Sequence, residues 1–288
     1  MVKKGVILCG GLATRFLPIT KSIAKEMLPI LNRPAIDYCI QDLRDNGVTD
    51  ILIIMGRGKE SLENYYDRNI ELEDRLLFAH KDKELEELSK IYSDVNISFI
   101  RQIYAKGTGY AVLKAKNFVG NEPFILIFPD ELIWGESFAR QMVENFDDLK
   151  ASIIPVRKIN IADSKKYGMV DFQEDDKGMK VTNIIEKPEP EDSPSDFCYT
   201  GGGVFTPEIF THLENCKVHD NGEIYLTDAF YGLMRSDSLY GTSIVGERID
   251  LGSPMGLIKG NIIAGMSDFK YRDELLQFMK EIVADEEE

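Results

Sequence analysis

Gly5-Val-Ile-Leu-Cys-Gly-Gly-Leu-Ala-Thr-Arg15 begins the stretch on which the fold turns, and it runs on through Phe16-Leu-Pro-Ile-Thr-Lys-Ser-Ile-Ala-Lys25 to Glu26-Met-Leu-Pro29. Residues 6–9 are a short apolar run, which by itself suits a buried strand or a piece of buried helix. The Gly10-Gly11 pair behind it favours a strand that ends in a tight turn. Glycine tolerates positive φ and lets a ligand come close to the backbone. Exposed amides at such a turn form a concavity suited to phosphate. Arg15 adds a charged fork matched to phosphate oxygens, and Lys21 and Lys25 follow on the same segment. The loop lacks the Gly-Lys-Ser/Thr ending of a P-loop and the Gly-x-Gly-x-x-Gly spacing of a dinucleotide fingerprint. Taken alone it is equally an ordinary turn followed by surface cations.

The pattern beyond it is α/β. Apolar residues Ile36, Cys39, Ile40 and Leu43 make a helical stripe over 35–46, with Asn46-Gly47 as its stop. A second buried strand follows at 50–56, so strand, helix and strand form a βαβ unit with a parallel sheet covered by helices. Another helix begins at 61–66. Residues 71–92, rich in Glu, Leu and Lys, read as solvated helix or a helical hairpin. Further strands are expected at 95–100, 123–128 and 152–156. Alternation at 168–172 and 181–185 predicts an antiparallel pair, read as a small subdomain over the crevice. Helices are expected from 111 onward, at 207–213, up to about 235, at 257–266 and at 271–283, with a frayed acidic tail at 284–288. The expected organisation is one domain, 1–266, with an appended C-terminal helical segment, 267–288.

The 288 residues, 43% hydrophobic and 29% charged, suffice for a sizeable core. A net charge of −15 argues against a general nucleic-acid binder. It makes the few clustered cations more informative, since an anionic substrate needs local positive charge on an acidic body. No apolar run approaches the roughly 20 residues needed to cross a bilayer. Cys9, Cys39, Cys198 and Cys216 are scattered and read as reduced thiols of a cytoplasmic protein. His80, His212 and His219 form no constellation.

Several strand ends carry chemistry. Gln102, in Arg101-Gln-Ile-Tyr-Ala-Lys-Gly-Thr-Gly109, offers the amide needed to read a base edge. Gly107 and Gly109 let a base and ribose lie against the backbone, unless they are only a glycine-containing connection. Asp130, in Phe128-Pro-Asp-Glu131, stands just past a buried strand, where ligands of open α/β sheets bind. It is a candidate for Mg²⁺, with a helix cap as the plain alternative. Glu131 is expected to face away. In Ile184-Ile-Glu-Lys-Pro188, Glu186 suits sugar hydroxyls and Lys187 a phosphate. Gly201 and Gly202, in Tyr199-Thr-Gly-Gly-Gly-Val-Phe205, offer backbone amides or a flexible turn. Asp250 ends a further strand in Arg248-Ile-Asp-Leu-Gly-Ser-Pro254.

Together these strings resemble the sugar-1-phosphate nucleotidylyltransferase family, from Gly5 to about Met266. Lys-Glu-Met-Leu-Pro29 resembles its uridylyl branch, and the 71–92 insertion is typical of that branch. Ala13 stands where the family usually has its second Gly, and Ala24 where Pro usually precedes the Lys. The resemblance implies a Rossmann-like α/β/α sandwich with a mostly parallel central sheet and a small antiparallel β subdomain. It implies uridylyl transfer from UTP to glucose 1-phosphate. Arg15, Lys25 and Lys187 become the catalytic cations. Gly10, Gly11, Gln102, Gly107 and Gly109 become the nucleotide site, and Glu186, Gly201 and Gly202 the sugar site. Asp130 and Asp250 become the Mg²⁺ ligands. A homodimer or homotetramer is implied, without nucleic acid or membrane. Another base or sugar, or a non-catalytic nucleotide-sugar-binding paralogue, are the alternative readings.

Overall fold

A computed structural model describes residues 1–236 and 238–286. β1 (Lys4–Cys9) forms from the first apolar run. Three 3₁₀ turns, Thr14–Phe16, Ile19–Lys21 and Lys25–Met27, carry the chain to a short hairpin, β2 (Pro29–Ile30) and β3 (Arg33–Pro34). α1 (Ala35–Asp45) buries the expected stripe of Ile36, Cys39, Ile40 and Leu43. β4 (Asp50–Met55) pairs parallel with β1. α2 (Glu60–Tyr66) and the helical hairpin α3 (Ile70–Phe78) and α4 (Asp82–Ser89) lead to β5 (Asn96–Arg101), parallel to β4. α5 (Gly107–Leu113) and α6 (Lys116–Val119) return the chain to β6 (Phe124–Ile127), parallel to β1 on its other side.

This crossing places a topological switch at the carboxyl end of β1, the position where open α/β sheets bind ligands. The Gly10-Gly11 turn sits there. β1 is buried on both faces, with Val6 in one apolar cluster and Ile7 in the other. A strand covered on both sides reads as a continuous apolar run, which is why Val6 to Cys9 shows no alternation.

The second half contains β7 (Glu131–Trp134), α7 (Phe138–Leu149), β8 (Ser152–Lys158), β9 (Gly168–Asp175), β10 (Gly178–Glu186), β11 (Phe197–Tyr199) and β12 (Gly203–Phe205). It continues with α8 (Glu208–Glu214), α9 (Leu226–Arg235), β13 (Leu239–Ser243), β14 (Glu247–Asp250), α10 (Pro254–Ser267) and α11 (Arg272–Glu286). Ten strands form one sheet in the order β11-β9-β10-β13-β8-β12-β6-β1-β4-β5.

The α/β fold is the one the sequence predicts, but the central sheet is mixed rather than mostly parallel. β6, β1, β4 and β5 are parallel, as are β8 and β13. β12 lies antiparallel between β6 and β8. The β9–β10 hairpin does not stand apart but extends the same sheet through β13. Antiparallel neighbours need no long crossover, so short strands and hairpins can widen the parallel block cheaply. α11 packs on α10, where Leu275 lies against Gly265. α11 runs through Glu286, into the stretch expected as a tail, and residues 287–288 lie outside the described residues. Among the described residues no helix is long and apolar enough to cross a membrane.

Candidate active site

A crevice of about 620 Å³ opens over the switch point. Its walls include Gly10, Gly11, Lys25, Gln102, Gly107, Asp130, Glu186, Lys187 and Gly201. Gln102 follows β5, and its side chain is buried against Gly10. A Cβ on Gly10 would stand 2.7 Å from Gln102 Oε1, so any larger residue there would displace the Gln102 amide. α5 begins at Gly107 rather than at Ala111, because 106–109 is tied to a strap around Ile224. Gly109 N donates to the Ile224 carbonyl at 2.9 Å, and Ile224 N donates to the Lys106 carbonyl at 2.9 Å. Gly107 takes φ +88, with the Ile224 carbonyl 2.4 Å from where its Cβ would be.

The Arg15 loop keeps a glycine-type turn without the glycine. Ala13 has φ 51 and ψ 41, in the left-handed region. An L-residue bears about 1–2 kcal/mol of strain there. Phe16 N and Thr20 Oγ1 both donate to the Ala13 carbonyl, at 3.0 and 2.9 Å, and hold the turn. Ala24 has φ −60 and ψ 136, angles a proline would also adopt. Both departures from the family string therefore preserve the backbone path.

The carboxylates converge on Gly252. The point where its Cβ would sit is 2.8 Å from Asp250 Oδ1, 3.6 Å from Arg15 Nη1 and 3.9 Å from Asp130 Oδ2. Asp130 arrives from the turn after β6 and Asp250 from the end of β14. β7 and β14 pair antiparallel, with Glu131 opposite Asp250. Leu251 N donates to the Asp130 carbonyl at 2.7 Å, and Gly252 N to Asp250 Oδ1 at 2.8 Å. Lys25 Nζ donates to Asp130 Oδ2 at 2.5 Å. Burial pulls the Lys25 ammonium down, but the Asp130 charge and hydrogen bond outweigh it and leave it above its ordinary value. Two carboxylates beside a phosphate-type loop are a hard oxygen donor set that suits a divalent cation. Among the described residues no group of three or more His, Cys, Asp or Glu is arranged to hold a metal ion.

Glu131 does not face away from the crevice as expected. Its carboxylate takes two bonds from Arg248, Nε at 2.6 Å and Nη2 at 2.7 Å, and both residues line the crevice. Burial pushes the Glu131 carboxyl up to about 7 against the pull of Arg248, with Asp250 and Asp130 adding to burial. Arg248 Nη1 also donates to the Tyr167 hydroxyl at 3.1 Å, and the guanidinium lies over the Tyr167 ring. Lys187 N donates to the Tyr167 carbonyl at 3.0 Å. Arg248 thus ties the β7–β14 ribbon beside the two aspartates to the segment carrying Lys187. Nothing in the local sequence signals this, since Glu131 and Arg248 are far apart in the chain.

At the other end, Glu186 and Lys187 follow one another where β10 leaves the sheet. Lys187 adopts φ 49, a strained angle for a lysine, and its Nζ is 3.4 Å from Glu186 Oε1. Strain of this kind clusters at ligand sites. Gly201 has φ +95, and a Cβ there would stand 2.5 Å from the Phe128 ring. Gly202 and Gly109 lie behind the crevice wall. A Cβ on Gly202 would meet the Leu126 carbonyl at 2.5 Å, and one on Gly109 the Tyr225 carbonyl at 2.9 Å. Asp228 accepts from Tyr225 N at 3.4 Å and pairs with His219 at 2.7 Å, which makes it a helix brace. Cys9 is buried in the core, and burial pushes its thiol well above the ordinary range. A thiol held protonated is a poor nucleophile.

The family profile described as "Nucleotidyl transferase" matches residues 4–263. The chain belongs to this family. This nucleotidyl transferase is 37% identical over 288 residues to a Bacillus subtilis protein named UTP–glucose-1-phosphate uridylyltransferase, covering 99% of each chain. It is similar in structure to UTP-bound UGPase from Acinetobacter baumannii, with a TM-score of 0.89, 34% identity, and coverage of 98% of this chain and 99% of that one. It also resembles a UDP-glucose pyrophosphorylase complexed with UDP-glucose, with a TM-score of 0.83, 32% identity, and coverage of 93% and 100%.

Proposed function

We propose that this nucleotidyl transferase is a UTP–glucose-1-phosphate uridylyltransferase. The observation that carries the reading is the single crevice in which Gln102, Lys25, Asp130, Glu186 and Lys187 meet, in a chain so similar to enzymes of that name. A phosphate oxygen of glucose 1-phosphate attacks the α-phosphate of UTP in line. The bond from the α-phosphate to the β-phosphate oxygen breaks, and pyrophosphate leaves with the electron pair. The attacking oxygen already carries charge, so no protein nucleophile is needed.

Catalysis is then positioning and charge neutralisation. Gln102 reads the uracil edge, with Gly10 and Gly11 allowing close approach and Gly107 and Gly109 shaping the wall. Arg15 and Lys25 hold the triphosphate, and Lys187 the sugar phosphate. Glu186 and Gly201 take the hexose hydroxyls, with Gly202 supporting that turn. Asp130 and Asp250 are the residues to hold Mg²⁺, which when bound neutralises phosphate charge. Four cysteines without a disulfide fit a reducing compartment such as the cytoplasm.

The test is pyrophosphate release with glucose 1-phosphate, Mg²⁺ and each of UTP, dTTP, CTP, ATP and GTP. Release with UTP alone is the expected result. Release with a different nucleotide alone moves the base specificity, and release with none overturns the reading.

We also propose that the chain forms a homodimer or homotetramer. Met255, Ile258 and Ile262 lie exposed along one face of α10, and Phe269, which follows it, is 92% exposed. A contiguous apolar face of this kind marks an interaction surface. Sedimentation velocity at micromolar concentration is expected to show a dimer or tetramer, and a monomer rejects this.

A further inference from the structure

Behind Lys25, on the side away from the crevice, lies a second pair of charges. Lys25, Glu26 and Met27 form one 3₁₀ turn. Successive residues on such a turn point in directions about 120° apart. Lys25 reaches Asp130, while Glu26 turns inward and is 2% exposed. Both Glu26 oxygens accept from Lys59 Nζ, each at 2.7 Å. Lys59 stands just before α2 and is itself 6% exposed. The charges alternate from the crevice into the core: Asp130, Lys25, Glu26, Lys59.

Stability does not explain this pair. Stripping water from two ions offsets most of their attraction, and apolar residues of similar volume often serve a core as well or better. Two short directional bonds do supply a fixed position, and this segment needs one. From Thr14 to Leu28 the chain runs through three separate 3₁₀ turns with no strand pairing until Pro29. The turn that carries Lys25 packs chiefly on α1 and α2. Ala24 and Leu28 bury it through apolar contacts, which are non-directional.

We propose that Glu26 and Lys59 are positioning residues. Their buried pair clamps the Lys25 turn to α2, so the Lys25 ammonium stays at the phosphate side of the crevice when substrate draws it from Asp130. The catalytic part of this inference rests on the transferase reading, and the clamp itself does not.

The experiment compares the parent with Glu26→Leu/Lys59→Met and with Lys59→Arg. The double variant is expected to melt at or above the parent temperature. Its kcat for pyrophosphate release falls about 10²-fold, the loss that a shift of about 1 Å in a positioned group brings. KM for UTP changes little. Backbone amides of 19–28 exchange faster by about tenfold or more, while the rest of the sheet keeps its protection. Lys59→Arg keeps both bonds and recovers most of the rate.

A double variant with parent-like melting, turnover and exchange overturns the proposal. If the double variant does not fold, exchange in the parent decides. Amides of 24–28 must then be about tenfold more protected than those of 14–23, and equal protection overturns the clamp. A parent that releases no pyrophosphate with any nucleotide removes the transferase reading alone, and exchange still reports on the clamp.

Discussion

Asp130→Asn and Asp250→Asn each lower pyrophosphate release by about 10³-fold while the protein keeps its melting temperature to within a few degrees. The magnitude follows from charge. Metal-assisted phosphoryl chemistry draws several kcal/mol of charge stabilisation from its ion, and each 1.36 kcal/mol is tenfold in rate. Both oxygens face one point beside Gly252, 2.8 and 3.9 Å away, with Arg15 at 3.6 Å. Two carboxylates placed where a triphosphate is expected repel it unless a cation lies between them. Removing either negative charge weakens the hold on that cation and leaves the shape of the side chain unchanged. The fold is expected to survive because the backbone bonds made by Leu251 and Gly252 hold the β7–β14 ribbon, and only the Asp250 side-chain oxygen is altered among them. Pyrophosphate release at saturating UTP and Mg²⁺, with thermal melting as the control, is the measurement. Two variants within tenfold of the parent would remove the two-carboxylate reading.

The parts of the fold and site that the sequence revealed are those set by local chemistry. β1 and its glycine turn were legible because burial on both faces leaves an uninterrupted apolar run. α1 was legible because one stripe of four apolar residues meets the core. Glu131 was misread because neighbouring residues alternate sides only inside a strand. The step from Asp130 to Glu131 crosses a turn, closed by Glu131 N on the Phe128 carbonyl at 3.0 Å. Its partner Arg248 was invisible because the antiparallel β7–β14 pairing leaves no local signal. Gly109 and Gly202 show another limit. Glycine permits close approach by a ligand or by another backbone, and at both positions the structure places another backbone. Nothing in the sequence marks Glu26 and Lys59 as a buried pair, and only tertiary packing shows them buried.

Lys25→Met is expected to lower kcat by about 10²- to 10³-fold, the range for losing one preorganised charge-stabilising donor. Methionine keeps much of the apolar stem, so the effect isolates the ammonium. The Lys25 side chain is 17% exposed, and its ammonium lies 2.5 Å from Asp130 Oδ2. It stays charged because the Asp130 carboxylate outweighs the burial that opposes it. Lys25→Arg should not restore the rate, since a planar fork cannot replace a compact ammonium in a site of this size. The double variant Lys25→Met/Asp130→Asn distinguishes a shared role from two separate ones. Groups that act as a unit are strongly non-additive, so the pair should lose little more than Asp130→Asn alone. Multiplicative losses would mean that the two residues act independently on different phosphates. Lys25→Met within threefold of the parent would remove Lys25 from the catalytic set, and the clamp behind it would then lose its catalytic purpose.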